Sequence, residues 1–408
     1  NPRPFYYSQI FVDPSDDKRV YVLGIQFHVS TDGGKTFKNG GSRVHPDHHA
    51  LWVDPRDGRH LILGCDGGLY ITHDYGGTWD FHNVMDIGQF YDVGVDARAP
   101  YWVYGGLQDN GSWGSPSRKR GNSGPLNSDW LRIGGGDGFV CRADPNDPLT
   151  VYAEMQGGRI WRVNIETGTR YTLRPPGREL RFNWKTPFAL SHHNSRTFYC
   201  AGNFVFRSLN RGENLKRISP SISRTEQGAA TSFSESPRNA DVLWVGTDDG
   251  ALWVTRDGGK EWKNIAEKVG LPKPFHVASL EASRFAEGRA YVAFDGHRSD
   301  NDAPHIYVTE DFGETWESLN SGLPAGSTRV LREDILNENL LYCGTEFGVW
   351  VSTDRGSHWT HLKGQLPTVA VHEIAVHPTA GEIVAATHGR SVWILEVTPL
   401  RQFAAKLA

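Results

Sequence analysis

Apolar and polar positions alternate along this chain in short runs, and each run stops at a turn signal. The runs "VYVLG" (20–24), "LILG" (61–64), "VYAE" (151–154), "LWVG" (243–246), "YVAF" (291–294) and "LYCG" (341–344) are rich in β-branched and aromatic residues. Each follows a polar turn such as "VDPSDDKR" (12–19), "VDPRDGRH" (53–60), "ADPNDPLT" (143–150) or "ESPRNADV" (235–242). That alternation suits strands half buried between stacked sheets, and no stretch reads as a long amphipathic helix. A further strand, "LWVT" or "IYVT", leads into a turn that recurs as "VSTDGGKTFKNG" (29–40), "ITHDYGGTWDFH" (71–82), "VTRDGGKEWKNI" (254–265), "VTEDFGETWESL" (308–319) and "VSTDRGSHWTHL" (351–362).

Aligned on that turn, the chain divides into nine units of roughly forty residues, the length of a four-stranded propeller blade. Five carry the intact turn; a sixth has decayed, with Asn210 in the aspartate position. The spacing from Asp54 to Asp74 equals that from Asp334 to Asp354, as expected if one strand and one loop always intervene. The expected fold is therefore all-β: a propeller of four-stranded antiparallel blades, seven to nine in number with eight the central value, over residues 1–398, followed by a tail at 399–408. The first unit is also compatible with membership of a neighbouring propeller. A closed ring of small sheets leaves only short protected edges.

In the repeated turn an Asp carboxylate can accept nearby backbone N–H groups, a glycine permits positive φ, and the aromatic residue folds back as a plug. Asp32, Asp74, Asp257, Asp311 and Asp354 are accordingly read as structural, at the outer rim. These turns resemble the Asp-box (bacterial neuraminidase) repeats of sialidases, sortilin-type receptors and two-propeller xyloglucanases. Longer stretches, including "GQFYDVGVDARAPYWVYGGLQDNGSWGSPSR", "IGGGDGF", "RFNWKTP" and "THGRSVWILE", resemble large secreted bacterial proteins known as sortilin-like or glycosyl-hydrolase-like repeat proteins. The resemblance implies a secreted, periplasmic or cell-surface bacterial protein. It also implies that this material is a C-terminal portion, processed or truncated, whose first partner is a missing N-terminal propeller half.

With the boxed turns at the bottom, the opposite loops surround the channel mouth. They carry Asp66, Gln108, Asp109, Asn110, Trp113, Glu154, Asp248, Asp249, Asp295, His297, Arg298, Glu346, His388 and Arg390, and between blades His45, Asp47, His48, His49, Asp137, Arg181, Asn183 and Trp184. The competing account is that such groups only tie neighbouring blades together. Two functional readings follow. One is a non-catalytic scaffold that recognises a protein partner, a peptide or a glycan through Gln108, Asn110, Trp113, Arg181, Trp184, Asp295, His297, Arg298, Glu346, His388 and Arg390. The alternative is a glycoside hydrolase of the two-propeller xyloglucanase kind, which needs two carboxylates across a cleft; Asp109, Asp137, Glu154 and Asp66 are its candidates. A sialidase would need Arg181, Arg298 and Arg390 as a carboxylate clamp and Tyr91 as nucleophile, but its Phe-Arg-Ile-Pro motif is absent.

No cofactor motif is present. The segment "HPDHHA", with His45, Asp47, His48 and His49, has the donor types of a transition-metal site. Forty-six glycines, 12% aromatic residues and only two methionines agree with many tight turns between aromatic-rich strands. A formal charge of −4 without long basic runs argues against a nucleic-acid surface, and no apolar run is long enough for a membrane helix. Cys65, Cys141, Cys200 and Cys343 lack paired metal-ligand spacing, and Cys65, Cys200 and Cys343, at or just after the ends of expected inner strands, read as small apolar residues.

Overall fold

The structure is a computed structural model that describes residues 3–121 and 124–407. Nine antiparallel sheets follow one another along the chain; eight have four strands and the last has three. Each is a meander whose strands are hydrogen-bonded in chain order, as short runs joined by tight turns dictate.

The sheets fall into two compact units, residues 1–86 and 87–408, where the sequence leads one to expect a single propeller over 1–398. The first unit holds two sheets, over 10–39 and 48–81, which share a core of Tyr21, Leu23, Phe27, Val29, Leu51, Leu61 and Leu63. The second holds seven blades, over 90–134, 138–173, 188–217, 230–264, 276–318, 328–361 and 371–396. Their innermost strands are Phe90–Val95, Gly138–Asp144, Phe188–Leu190, Ala230–Glu235, His276–Ala282, Thr328–Glu333 and Val371–Val376. Each of these packs beside the next, and the seventh packs beside the first. The second unit is thus a closed seven-bladed ring.

Between blades the core is a series of aromatic and branched side chains. One such layer is Trp244, Leu252, Val254 and Ile265 against Phe275, Val277, Leu280, Val292 and Phe294. Cys141, Cys200 and Cys343 are buried in such layers, and all four cysteines are free. The boxed turns close the outer strands. In one, the Thr255 hydroxyl donates to Asp257 (2.8 Å) and accepts the Gly259 N–H (3.0 Å), while Asp257 accepts the Lys260 and Glu261 N–H groups. The tryptophan that follows does more than plug its own turn. Trp262 Nε1 donates to the Ile218 carbonyl (2.8 Å) and Trp359 Nε1 to that of Leu319 (2.8 Å), each in the link leaving the preceding blade.

The expected tail is a helix instead, Thr398–Leu407. Val397 and Ala404 are buried, and Arg401 Nε lies 2.9 Å from a carboxylate oxygen of fully buried Asp334.

Candidate functional site at the mouth of the ring

The mouth is built from the starts of the innermost strands and the turns between each blade's second and third strands. Strand pairing skips one residue near the start of several innermost strands: Tyr91 in the first blade, Arg329 in the sixth and His372 in the seventh. A bulge of this kind leaves one residue unpaired and re-aims its side chain.

Around the first blade these side chains form a hydrogen-bonded row. Tyr91 donates its hydroxyl to Gln108 Oε1 (2.7 Å), and Gln89 Nε2 donates to the same oxygen (2.6 Å). Gln89 Nε2 is also 2.8 Å from His388 Nε2. An amide nitrogen only donates, so that ring nitrogen accepts and the imidazole proton sits on Nδ1. Tyr91 stacks on buried Phe139 (4.5 Å between centroids) and His388 on His372 (4.2 Å). Burial, reinforced by nearby Arg329, lowers the pKa of both histidines. Burial also lowers that of His276 to about 4, with Asp295 opposing and Arg298, Arg329 and Lys185 reinforcing. All three imidazoles are therefore neutral at physiological pH.

The "GGLQDNGSW" and "GGGDG" loops meet here. Asp137 Oδ1 accepts the Asp109 N–H (2.7 Å), and the Asp137 N–H is donated to Gln156 Oε1 (3.0 Å). Asp109 has a φ of 59°, and a Cβ on Gly106 would overlap the Phe139 backbone of the neighbouring blade. Glycine is required at that seam. Asn110 Nδ2 donates to the Gln108 carbonyl, and Trp113 Nε1 donates to that of Asn110 (2.7 Å).

On the far side Asp295, buried, accepts Ser327 Oγ (2.7 Å) and the His297 N–H (3.0 Å) and pairs with Arg329. Arg329 Nε in turn donates to Glu346 (2.8 Å). His297 and Arg298 stand exposed on a short 3₁₀ turn, His297–Ser299. Beneath the mouth a chain of charges crosses the channel. It runs from Glu281 to Arg332 (3.4 Å), Glu373 (2.5 Å), Lys185 (3.9 Å), Asp92 (2.8 Å) and Arg142 (2.6 Å). Burial opposes ionisation of Asp92, yet Arg142 and Lys185 hold its carboxyl below the ordinary range.

Other expected site residues lie elsewhere. Glu154 belongs to the strand Asp147–Met155 and is wholly buried, so it is not a mouth carboxylate; burial raises its pKa well above the ordinary value. Asp66, His45, Asp47, His48 and His49 are in the first unit, not in the ring. In "HPDHHA" the donors diverge: Asp47 accepts from Tyr7, His49 Nε2 faces Asp66 (3.1 Å), and His48 is buried beside Phe27. Among the described residues no three His, Cys, Asp or Glu side chains are placed to share a metal. Arg181 contacts Ser223 Oγ (3.4 Å), Arg298 is on the fifth blade and Arg390 is exposed on the seventh, so the three arginines of the expected clamp belong to different parts of the ring. Asp249 accepts the Arg224 and Thr225 N–H groups, and Asp248 those of Ala229 and the Asn183 side chain. Trp184 is 57% exposed. Gln89, Lys185, His276, Arg329 and His372 are mouth or channel residues absent from the sequence-based set.

No protein-family model matches the chain. A stretch of 91 residues, 21% of the chain, is 34% identical to the oligoxyloglucan-reducing end-specific xyloglucanase of Emericella nidulans, covering 10% of that protein. Another of 160 residues, 39% of the chain, is 24% identical to sortilin of Mus musculus, covering 18% of it. Among solved structures, the β-propeller domain of Myceliophteria thermophila Cps50 (Swd1) superposes with a TM-score of 0.53 over 76% of this chain and 97% of that one, at 13% identity. This chain has the β-propeller fold. The Niastella koreensis GH74 enzyme is also similar, at 14% identity over 93% of this propeller chain and 75% of its own, with a TM-score of 0.31. No helix among the described residues of the propeller chain is long and apolar enough to cross a membrane.

Proposed function

We propose that the ring is a non-catalytic binding propeller that takes a glycan at its mouth. One observation carries this reading: a neutral hydrogen-bonding row, Tyr91–Gln108–Gln89–His388, shares that mouth with the exposed indole of Trp184. Amide and hydroxyl groups suit sugar hydroxyls, and an aromatic face suits the C–H face of a sugar ring. The xyloglucanase likeness over 91 residues favours a carbohydrate over a peptide.

The hydrolase alternative is weaker because only two of its four acids, Asp109 and Asp137, are at the mouth. Glu154 is buried, Asp66 is outside the ring, and Asp137, only 7% exposed, is engaged with the Asp109 amide. We further propose that the protein works outside the cytoplasm, and that the partner of the two-bladed first unit is a further propeller segment.

A glycan and peptide array on the 408-residue chain tests the reading. Glycan binding that falls at least tenfold in both Tyr91→Phe and Trp184→Ala supports it; binding confined to peptides refutes it. Release of sugar from a β-glucan, abolished by Asp109→Asn, would establish the hydrolase instead.

A further inference from the structure

The segment Asn183–Thr186, in the link from the second blade to the third, is bonded to four blades besides the one it enters. Lys185 Nζ lies 2.8 Å from Asp92 and donates to the Tyr91 carbonyl (3.3 Å), both on the first blade, and is 3.9 Å from Glu373 on the seventh. Asn183 Nδ2 donates to Asp248 on the fourth (2.8 Å). From the second blade the Gly157 N–H is donated to the Trp184 carbonyl (3.3 Å), and Glu154 accepts the Thr186 N–H (3.2 Å). Between two residues so held, the Trp184 side chain stands in solvent; among the described residues it is the one exposed tryptophan of the ring. Leaving an indole in water forgoes the apolar burial an interior position would give it, and no packing need of the blades accounts for it.

We propose that Lys185 is a positioning residue of the mouth, whose ammonium, seated in the channel, holds this segment and so fixes Trp184 as a ligand-contact platform. The inference rests on the reading of the mouth as a ligand site. It is specific to Lys185 because both acids it touches already have another cation: Arg142 pairs with Asp92 (2.6 Å) and Arg332 with Glu373 (2.5 Å). Removing the ammonium therefore leaves neither buried carboxylate alone, and the ring stays closed. What is lost is the tether from the channel to the segment that carries the indole.

Hydrogen exchange on the intact chain tests the positioning without any ligand. In Lys185→Met, the amides of Gly157 and Thr186 are expected to exchange about tenfold faster, with the fifth blade's second strand, Ala290–Asp295, unchanged. Trp184→Ala should leave those two amides at the wild-type rate. Cellohexaose serves as probe for the ligand role, and a binder should lose at least tenfold in affinity in both variants. Unchanged Gly157 and Thr186 exchange in Lys185→Met overturns the proposal, as does an equal acceleration throughout the ring. If exchange responds as expected while no glycan binds, the positioning role stands and the glycan reading falls.

Discussion

The channel charges make a prediction whose sign is set by burial. Glu281 lies 3.4 Å from Arg332, but that guanidinium is shared with Glu373 at 2.5 Å, and Glu333 and Glu373 both add negative potential. Burial is the largest influence on Glu281, and its carboxyl is pushed up to about 7 from the ordinary 4.5. The folded protein thus holds a proton that the unfolded chain has released between pH 4.5 and 7. Stability therefore falls as pH rises through that window. At 1.36 kcal/mol per pH unit, the interval is worth about 3 kcal/mol. A glutamine cannot ionise and keeps the shape and a hydrogen bond to Arg332. Urea unfolding of wild type and Glu281→Gln, followed by tryptophan fluorescence at pH 5, 6, 7 and 8, isolates this group because titrations not coupled to it cancel in the difference. The variant should gain on wild type by about 2.5 kcal/mol between pH 5 and pH 8. A difference that is flat across that range, or that shrinks with pH, refutes the reasoning.

Three further outcomes are expected. Trp359→Phe leaves the Leu319 carbonyl without its indole donor and should cost about 1–3 kcal/mol in the same unfolding assay. Gly106→Ala places a methyl group against the Phe139 backbone, which has no room to retreat, and should destabilise the ring by about 3 kcal/mol or prevent soluble expression; circular dichroism melts decide. Arg401→Ala strips buried Asp334 of its cation, leaving the Tyr342 hydroxyl (2.9 Å) and the Leu336 N–H (2.8 Å), and should cost about 3–5 kcal/mol; deletion of 398–408 should cost at least as much, and an unchanged melting temperature would show that the helix is not part of the ring's stability.

The blades were legible because each local signal agrees with the others: aromatic runs such as "LWVG" and "LYCG", their turns, and a box at near-constant spacing. Where the ring begins was not. The segment between Trp79 and Tyr91 reads as one more link between like units, yet the compact units divide at Asp86. Repeats that look alike in sequence do not say which neighbour each will bury against. The mouth was half legible. Gln108, Asp109 and Asp137 were found through their glycine-rich loops, whereas Arg329 and His372 sit in strands whose alternation assigns them no special direction until a bulge turns them. Glu154 erred the other way: one residue short of its turn, it is still strand, and the polar side chain goes inward. Lys185 carried no local signal, since its partners are about 90 and 190 residues away in sequence.

The seventh blade has only three strands, Val371–Val376, Glu382–Thr387 and Val392–Glu396, and all come from the end of the ring's own chain. Among the described residues no strand crosses from the first blade to stitch the circle shut. Bringing together the ends of a segment of roughly 300 residues costs about 5 kcal/mol of chain entropy. Among the described residues, that junction combines side-chain packing, the Tyr101 and Arg118 contacts to Glu382 and the Lys185 link between Asp92 and Glu373 with a short set of backbone bonds, in which Gly389 and Ser391 donate to the Gly88 carbonyl and Gln89 pairs with His388. Gln89 and His388 are also two of the groups proposed to meet a ligand. A molecule gripping both would bridge the junction between the first and seventh blades, acting as a clasp, and would raise the ring's melting temperature as it saturates.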